Sequence, residues 1–184
     1  KAFALIAAEA EARGEKPEKM IMVGSYEKGA AQFETYVKKI LEIKPANVEL
    51  LHWLDDVELR KLYSECKGFI STSKEEDFGM TVVEAMACGK PVIASNEGGY
   101  KESIINGKTG TLVDFVDAPA EDEGVLARNA ATLADAIKRM SAELRLNPDQ
   151  YRHDCIERAE EFDVGVFIQK IREQIEAHLA KRAI

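Results

Sequence analysis

At 184 residues, with 46% apolar and 32% charged side chains, the chain has the composition of a folded domain and not of a disordered or repetitive one. It is long enough to bury roughly 70% of its unfolded surface around one core and short for two. Lys and Arg number 25 against 33 Asp and Glu, and the net charge of -8 repels nucleic acid phosphates, so no nucleic acid partner is expected. No apolar run approaches the ~20 residues of a membrane span. Cys66, Cys88 and Cys155 are widely spaced with no Cys-x-x-Cys pair, which argues against both a disulfide framework and a zinc site. With no secretory signal pattern or Asn-x-Ser/Thr acceptor, the expected location is a reducing cytoplasm.

The chain opens at Lys1 already inside a helical pattern, and is expected to be a piece of a longer protein. Phe3, Ile6, Ala7 and Ala10 recur at helical spacing up to Gly14, and Lys19 to Val23 reads as a short buried strand. Phe33, Val37, Ile40 and Leu41 predict a second helix stopped by Pro45, followed by a strand over Val48 to Leu51. Asp55 or Asp56 can cap a helix carrying Leu59, Leu62 and Tyr63. Further strands are expected over Gly68 to Ser73, Pro91 to Ala94 and Thr109 to Val113, with a short helix over Thr81 to Cys88. The polar stretch Asp114 to Gly124 reads as a loop. Helices are expected over about Leu126 to Leu144, Pro148 to Phe162 and Val164 to Leu179. Strands alternating with helices predict an α/β fold, a Rossmann-like doubly wound parallel sheet with a helical C-terminus.

Ligands of such sheets bind beyond the carboxyl ends of the strands. The segment there is Ser73-Lys-Glu-Glu-Asp-Phe-Gly-Met-Thr-Val-Val-Glu84, with Glu75, Glu76 and Asp77 crowding a strand end before a glycine turn and a helix start. Backbone N–H groups at Gly79, Met80 and Thr81, with the positive end of the helix dipole, suit a phosphate. Glu76 and Glu84 flank that position and can accept from sugar hydroxyls, the polarity pattern of a nucleotide sugar. Two plainer readings stay open. Thr81-x-x-Glu84 is also a capping-box pattern, and Glu75 to Asp77 also reads as a solvated acidic turn.

The run Glu76-Asp-Phe-Gly-Met-Thr-Val-Val-Glu84-Ala-Met-Ala-Cys-Gly-Lys-Pro-Val-Ile-Ala resembles the Glu-x7-Glu signature of the retaining GT-B glycosyltransferases of family 4, or group 1. Gly98-Gly-Tyr-Lys-Glu102 and Thr109-Gly-Thr-Leu-Val113 resemble the family's Gly-Gly-x-x-Glu and Thr-Gly-x-Leu-Val segments. The mannosyltransferase-like members are the most similar in pattern. The resemblance implies two Rossmann-like domains, of which residues 1–184 would be the donor-binding one, with the acceptor domain absent and residues 164–180 forming a helix that crosses back to it. It implies that Glu76 is catalytic, contacting the transferred sugar, and that Glu84 holds the nucleotide ribose. Phe78, Gly79 and Met80 would present N–H groups to sugar or phosphate. Lys1 would match a diphosphate-binding Lys whose Arg partner, like the first strand of the sheet, lies upstream. Trp53, in His52-Trp53-Leu54 where the family places the base, either stacks on it or is a core or rim residue. His52 and Asp77 stand where the family usually has Gly.

The expected function is therefore transfer of a hexose, plausibly mannose, from a GDP- or UDP-linked donor, retaining and without metal or other cofactor, with this chain alone inactive. A nucleotide-sugar epimerase and a non-catalytic nucleotide-binding module are the alternatives. His153 and His178 are expected on the surface. Val166, Phe167, Ile171 and Ile175 predict an apolar stripe on the last helix, exposed without the other domain or pairing two copies.

Overall fold

The structure, a computed structural model, describes residues 1–24, 31–117, 119 and 122–182. In chain order the elements are α1 (Ala2–Ala12), β1 (Met20–Val23), α2 (Ala31–Ile43), β2 (Val48–Leu51), α3 (Asp56–Glu65), β3 (Phe69–Ser71) and α4 (Met80–Ala87). β4 (Val92–Ser95), α5 (Tyr100–Ser103), β5 (Gly110–Val113), α6 (Glu123–Leu146), α7 (Arg152–Glu160) and α8 (Val164–Arg182) follow. The architecture is the expected Rossmann-like α/β, parallel strands joined by helical crossovers. Among the described residues, no helix is long and apolar enough to cross a membrane.

The chain divides into two compact units, where one core was expected: Lys1–Glu65 with Val113–Leu146, and Cys66–Leu112 with Asn147–Ile184. Among the described residues the strands pair as β1-β2 and as β3-β4-β5. The strand β1 is zipped to β2 from Met20↔Val48 to Val23↔Leu51, and β3 to β4 from Phe69↔Val92 to Ser71↔Ala94. Local apolar pattern locates strands but does not select their neighbours.

In the first unit, Phe3, Ile6 and Ala10 form the buried stripe of α1, which packs on α6, where Ala134, Ile137 and Met140 are buried. The Lys138 ammonium sits 2.9 Å from the Glu9 carboxylate, and Ser141 Oγ donates to Glu18 at 2.5 Å. Asn47, just before β2, donates through Nδ2 to the carbonyls of Phe3 and Glu18 at 3.0 and 2.9 Å, tying α1 to the strand start. Asp55 is the cap of α3: its Oδ1 accepts the N–H groups of Val57 and Glu58, and Glu58 returns a carboxylate to the Asp55 N–H.

In the second unit β4 is wholly buried. Gly110 lies so close to it that a Cβ would stand 2.0 Å from the Val92 carbonyl oxygen, so the start of β5 admits only glycine. The helix α4 buries Val82, Ala85 and Met86 and packs on α7, whose Cys155 and Ala159 are buried. The helix α8 leaves Val164, Phe167, Ile168, Ile171, Ile175 and Leu179 exposed, an apolar stripe at helical spacing open to solvent.

Candidate functional site

The second unit builds the site from two loops. Beyond Ser71 the chain leaves β3 and turns into α4. Glu75 sits at φ 54, a left-handed conformation that costs a side-chain-bearing residue roughly 1–2 kcal/mol. Strain of that kind gathers where a loop is held for function. Asp77, by contrast, is not among the positive-φ residues, so an aspartate stands there without left-handed strain. Gly79 is at φ 80, and a Cβ on it would lie 2.8 Å from the Tyr100 ring. Both conformation and space therefore demand glycine at the turn.

Gly79 is the N-cap of α4, with no side-chain capping bond. Thr81 lies inside the first turn of the helix, and Glu84 follows at the start of the second. The first bond into the helix runs from the Val82 N–H to the Gly79 carbonyl at 3.0 Å. The N–H groups of Gly79 and Met80 precede it, at the positive end of the helix. Met80 and Glu84 are exposed, and Glu76 is half-buried.

The second loop, Gly98-Gly99, lies flat on the first. A Cβ on Gly98 would stand 2.5 Å from the Glu76 carbonyl oxygen, and one on Gly99 2.3 Å from that of Asp77 and 2.7 Å from Phe78 Cα. The Gly99 N–H donates to the Glu76 carbonyl at 2.7 Å. Behind the loop, the Phe78 ring meets Phe162 edge-to-face, with centroids 5.3 Å apart. The Arg158 guanidinium lies 4.8 Å from the Phe162 ring centre and donates through Nε to the Ser103 carbonyl at 3.1 Å, and through Nη2 to that of Glu102. One arginine thus holds both the end of α5 and the ring behind the loop.

The structure brings Glu76, Phe78, Gly79, Met80, Thr81 and Glu84 together on this loop and helix. Trp53 and Lys1 belong to the first unit. Trp53 follows β2 and is 61% exposed, so it is not a core residue. Lys1 heads α1, and its ammonium pairs with the Glu123 carboxylate. His153 and His178 are exposed, as expected. His153, Asp154 and Glu157 bring their ligand atoms within 4.8 Å of one another on α7, the kind of acidic surface cluster that is common without an ion. Burial pushes the Cys155 thiol up to about 12 and that of the half-buried Cys66 upward. Sequence reasoning missed α5 and four supporting side chains: Tyr100, Ser71, Arg158 and Phe162. The adjacent glycines at 98 and 99, part of the Gly-Gly-x-x-Glu resemblance, were the available signal that another backbone passes close by.

The profile of the family "Glycosyl transferases group 1" matches residues 1–162. The chain is 28% identical over 155 residues to alpha-maltose-1-phosphate synthase of Mycolicibacterium smegmatis, covering 84% of this chain and 35% of that protein. It is 34% identical over 88 residues to D-inositol 3-phosphate glycosyltransferase 2 of Catenulispora acidiphila, covering 48% of this chain and 19% of that protein. Among solved structures, Anabaena HepE in complex with UDP-glucose aligns with a TM-score of 0.66 at 26% identity, over 94% of this chain and 44% of HepE. Sucrose-phosphate synthase from Thermosynechococcus elongatus aligns at 0.64 and 25% identity, over 96% of this chain and 42% of that one. The chain thus spans less than half the length of these relatives. By the profile match across most of its length, it belongs to the group 1 glycosyl transferases.

Proposed function

We propose that this chain is the donor-binding part of a retaining, metal-independent hexosyltransferase that uses a nucleoside-diphosphate hexose. The carrying observation is the half-buried Glu76 carboxylate standing before the Gly79 cap of α4, with Glu84 one turn beyond. In this reading the Gly79 and Met80 N–H groups, with Phe78 N–H behind them, bind the diphosphate as negative charge develops on it. Glu76 orients the hexose at the reacting carbon, and Glu84 accepts from the ribose hydroxyls. Thr81 lines the same helix start. The acceptor hydroxyl attacks from the side the diphosphate leaves, which retains the configuration. The acceptor would be held by a second domain, and the apolar stripe of α8 suits a surface of that domain. UDP is the favoured nucleotide and glucose the favoured sugar, supported by the complex of HepE with UDP-glucose. Family membership favours transfer over epimerisation.

Calorimetric titration with UDP, UDP-glucose, GDP and GDP-mannose tests the reading, with Glu84→Ala alongside. Binding of UDP and UDP-glucose is expected, with the variant weakened about tenfold for both, the worth of roughly 1.4 kcal/mol. Its melting temperature is expected to stay within 2 °C of wild type. Lower melting with unchanged affinity would place Glu84 in the structure alone, and preference for GDP-mannose would return the donor to mannose.

A further inference from the structure

Tyr100 is a fully buried side chain, 0% exposed, and its hydroxyl has two polar neighbours, both belonging to the loop or to the strand that feeds it. Ser71 Oγ, at the last residue of β3, lies 2.5 Å from it. Glu76 Oε2 accepts from it at 3.5 Å. The direction of these bonds follows from their chemistry. An ionised carboxylate only accepts, so the single phenolic proton points to Glu76, and Ser71 must donate to the phenolic oxygen. The result is a relay, Ser71 O–H to Tyr100 O–H to Glu76, rooted in the sheet. A hydrogen bond chain of this kind is strengthened by the low dielectric around a buried tyrosine. The same ring also fills the space that Gly79 leaves empty. Neither position is specified by the family pattern, in which residue 100 is the first x of Gly-Gly-x-x-Glu.

We propose that Tyr100, backed by Ser71, is the positioning residue for Glu76: its hydroxyl fixes the carboxylate in the rotamer that meets the donor hexose. The inference rests on the donor-site reading above and adds to it a residue that touches neither sugar nor nucleotide. The bond is long, at 3.5 Å, and the proposal has it shorten as the hexose draws the carboxylate into place. Because the hydroxyl acts on the sugar-contacting carboxylate and the ring on the glycine turn, the two can be separated by experiment.

Tyr100→Phe keeps the ring against Gly79 and removes only the hydroxyl. Titration of the purified protein with UDP and with UDP-glucose reads the sugar's own contribution as the ratio of the two affinities. The expected result is about a tenfold loss for UDP-glucose with UDP held within about twofold, as for one hydrogen bond to a charged group. Ser71→Ala, which leaves the tyrosine in place, is expected to lower UDP-glucose affinity about threefold, again without moving UDP. A merely structural tyrosine would weaken both ligands equally or neither, and either result overturns the proposal. Unfolding of Tyr100→Phe would leave Ser71→Ala to decide it by the same ratio. Failure of the wild-type protein to bind UDP would overturn the donor site itself, a result distinct from a lost sugar increment on intact nucleotide binding.

Discussion

Substituting Gly99 by Ala tests whether the two loops form one site. Gly99 has φ -64 and ψ -16, which alanine adopts freely, so the substitution costs nothing in backbone conformation. Space is the whole issue. The new methyl would lie 2.3 Å from the Asp77 carbonyl oxygen and 2.6 Å from its carbon, both backbone atoms that no rotamer change can move. Reaching an ordinary carbon-to-oxygen contact of roughly 3.3 Å requires the loops to part by about 1 Å. The 2.7 Å bond from the Gly99 N–H to the Glu76 carbonyl would then be stretched past useful length. Overpacking costs about 1–3 kcal/mol and the lost bond about 1 more, so a destabilisation of about 2–4 kcal/mol is expected. That is large against a typical total of about 5–15 kcal/mol, yet leaves a folded protein to assay. Since Glu76 and Phe78 ride on the displaced loop, UDP-glucose affinity should fall at least tenfold, about 1.4 kcal/mol. Urea unfolding and calorimetric titration measure the two effects. Gly107→Ala is the control: it has φ 81 and no heavy atom within 4 Å of its Cβ, so it carries only the left-handed penalty of about 1–2 kcal/mol. The reasoning fails if Gly99→Ala loses no more stability than Gly107→Ala and binds UDP-glucose like wild type.

Arg158→Ala removes two bonds to the α5 carbonyls and the contact with Phe162, and should lower stability by about 2–3 kcal/mol in urea unfolding; Arg158→Lys should not restore it, because one ammonium cannot span both carbonyls and the ring. Cys155, whose Sγ points its proton at the Thr109 carbonyl 3.5 Å away, should resist thiol reagents at pH 8 until the protein is unfolded. Its folded value of about 12 lies above the ordinary 9.0, so the native state keeps a proton that the unfolded state releases. Stability is therefore intact below pH 9 and falls as pH rises from there toward 12. Cys155→Ala should show a shallower decline of the urea midpoint between pH 8 and pH 10.5, and equal slopes would refute the assignment.

The local elements were legible because each is written in a few consecutive residues. Val48 to Leu51 is a strand by its apolar run after Pro45, and Asp55 caps α3 through the spacing to Glu58. What local pattern could not supply was which strand lies beside which, since a buried strand with apolar residues on both faces fits any neighbour. The helix α5 escaped for a related reason: four residues are too few for a period, and Tyr100–Ser103 is held by contacts made elsewhere in the chain, above all by Arg158 on its carbonyls.

The candidate site divides along the same line. Residues that would touch the ligand follow one another from Glu76 to Glu84, so a linear motif exposes them. Those that hold them in place do not: Ser71, Gly99, Tyr100, Arg158 and Phe162 converge only after folding. The glycine pair shows how the two kinds are joined. Neither Gly98 nor Gly99 offers a side chain to a ligand, yet any Cβ there would strike the backbone of residues 76–78, so the second motif shapes the first by fitting against it. A motif residue need not face the substrate to belong to the chemistry. Here the absence of two side chains lets the Gly99 N–H grip the Glu76 carbonyl and brings Tyr100 under the Glu76 carboxylate, so backbone and side chain of one acidic residue are fixed by two consecutive positions.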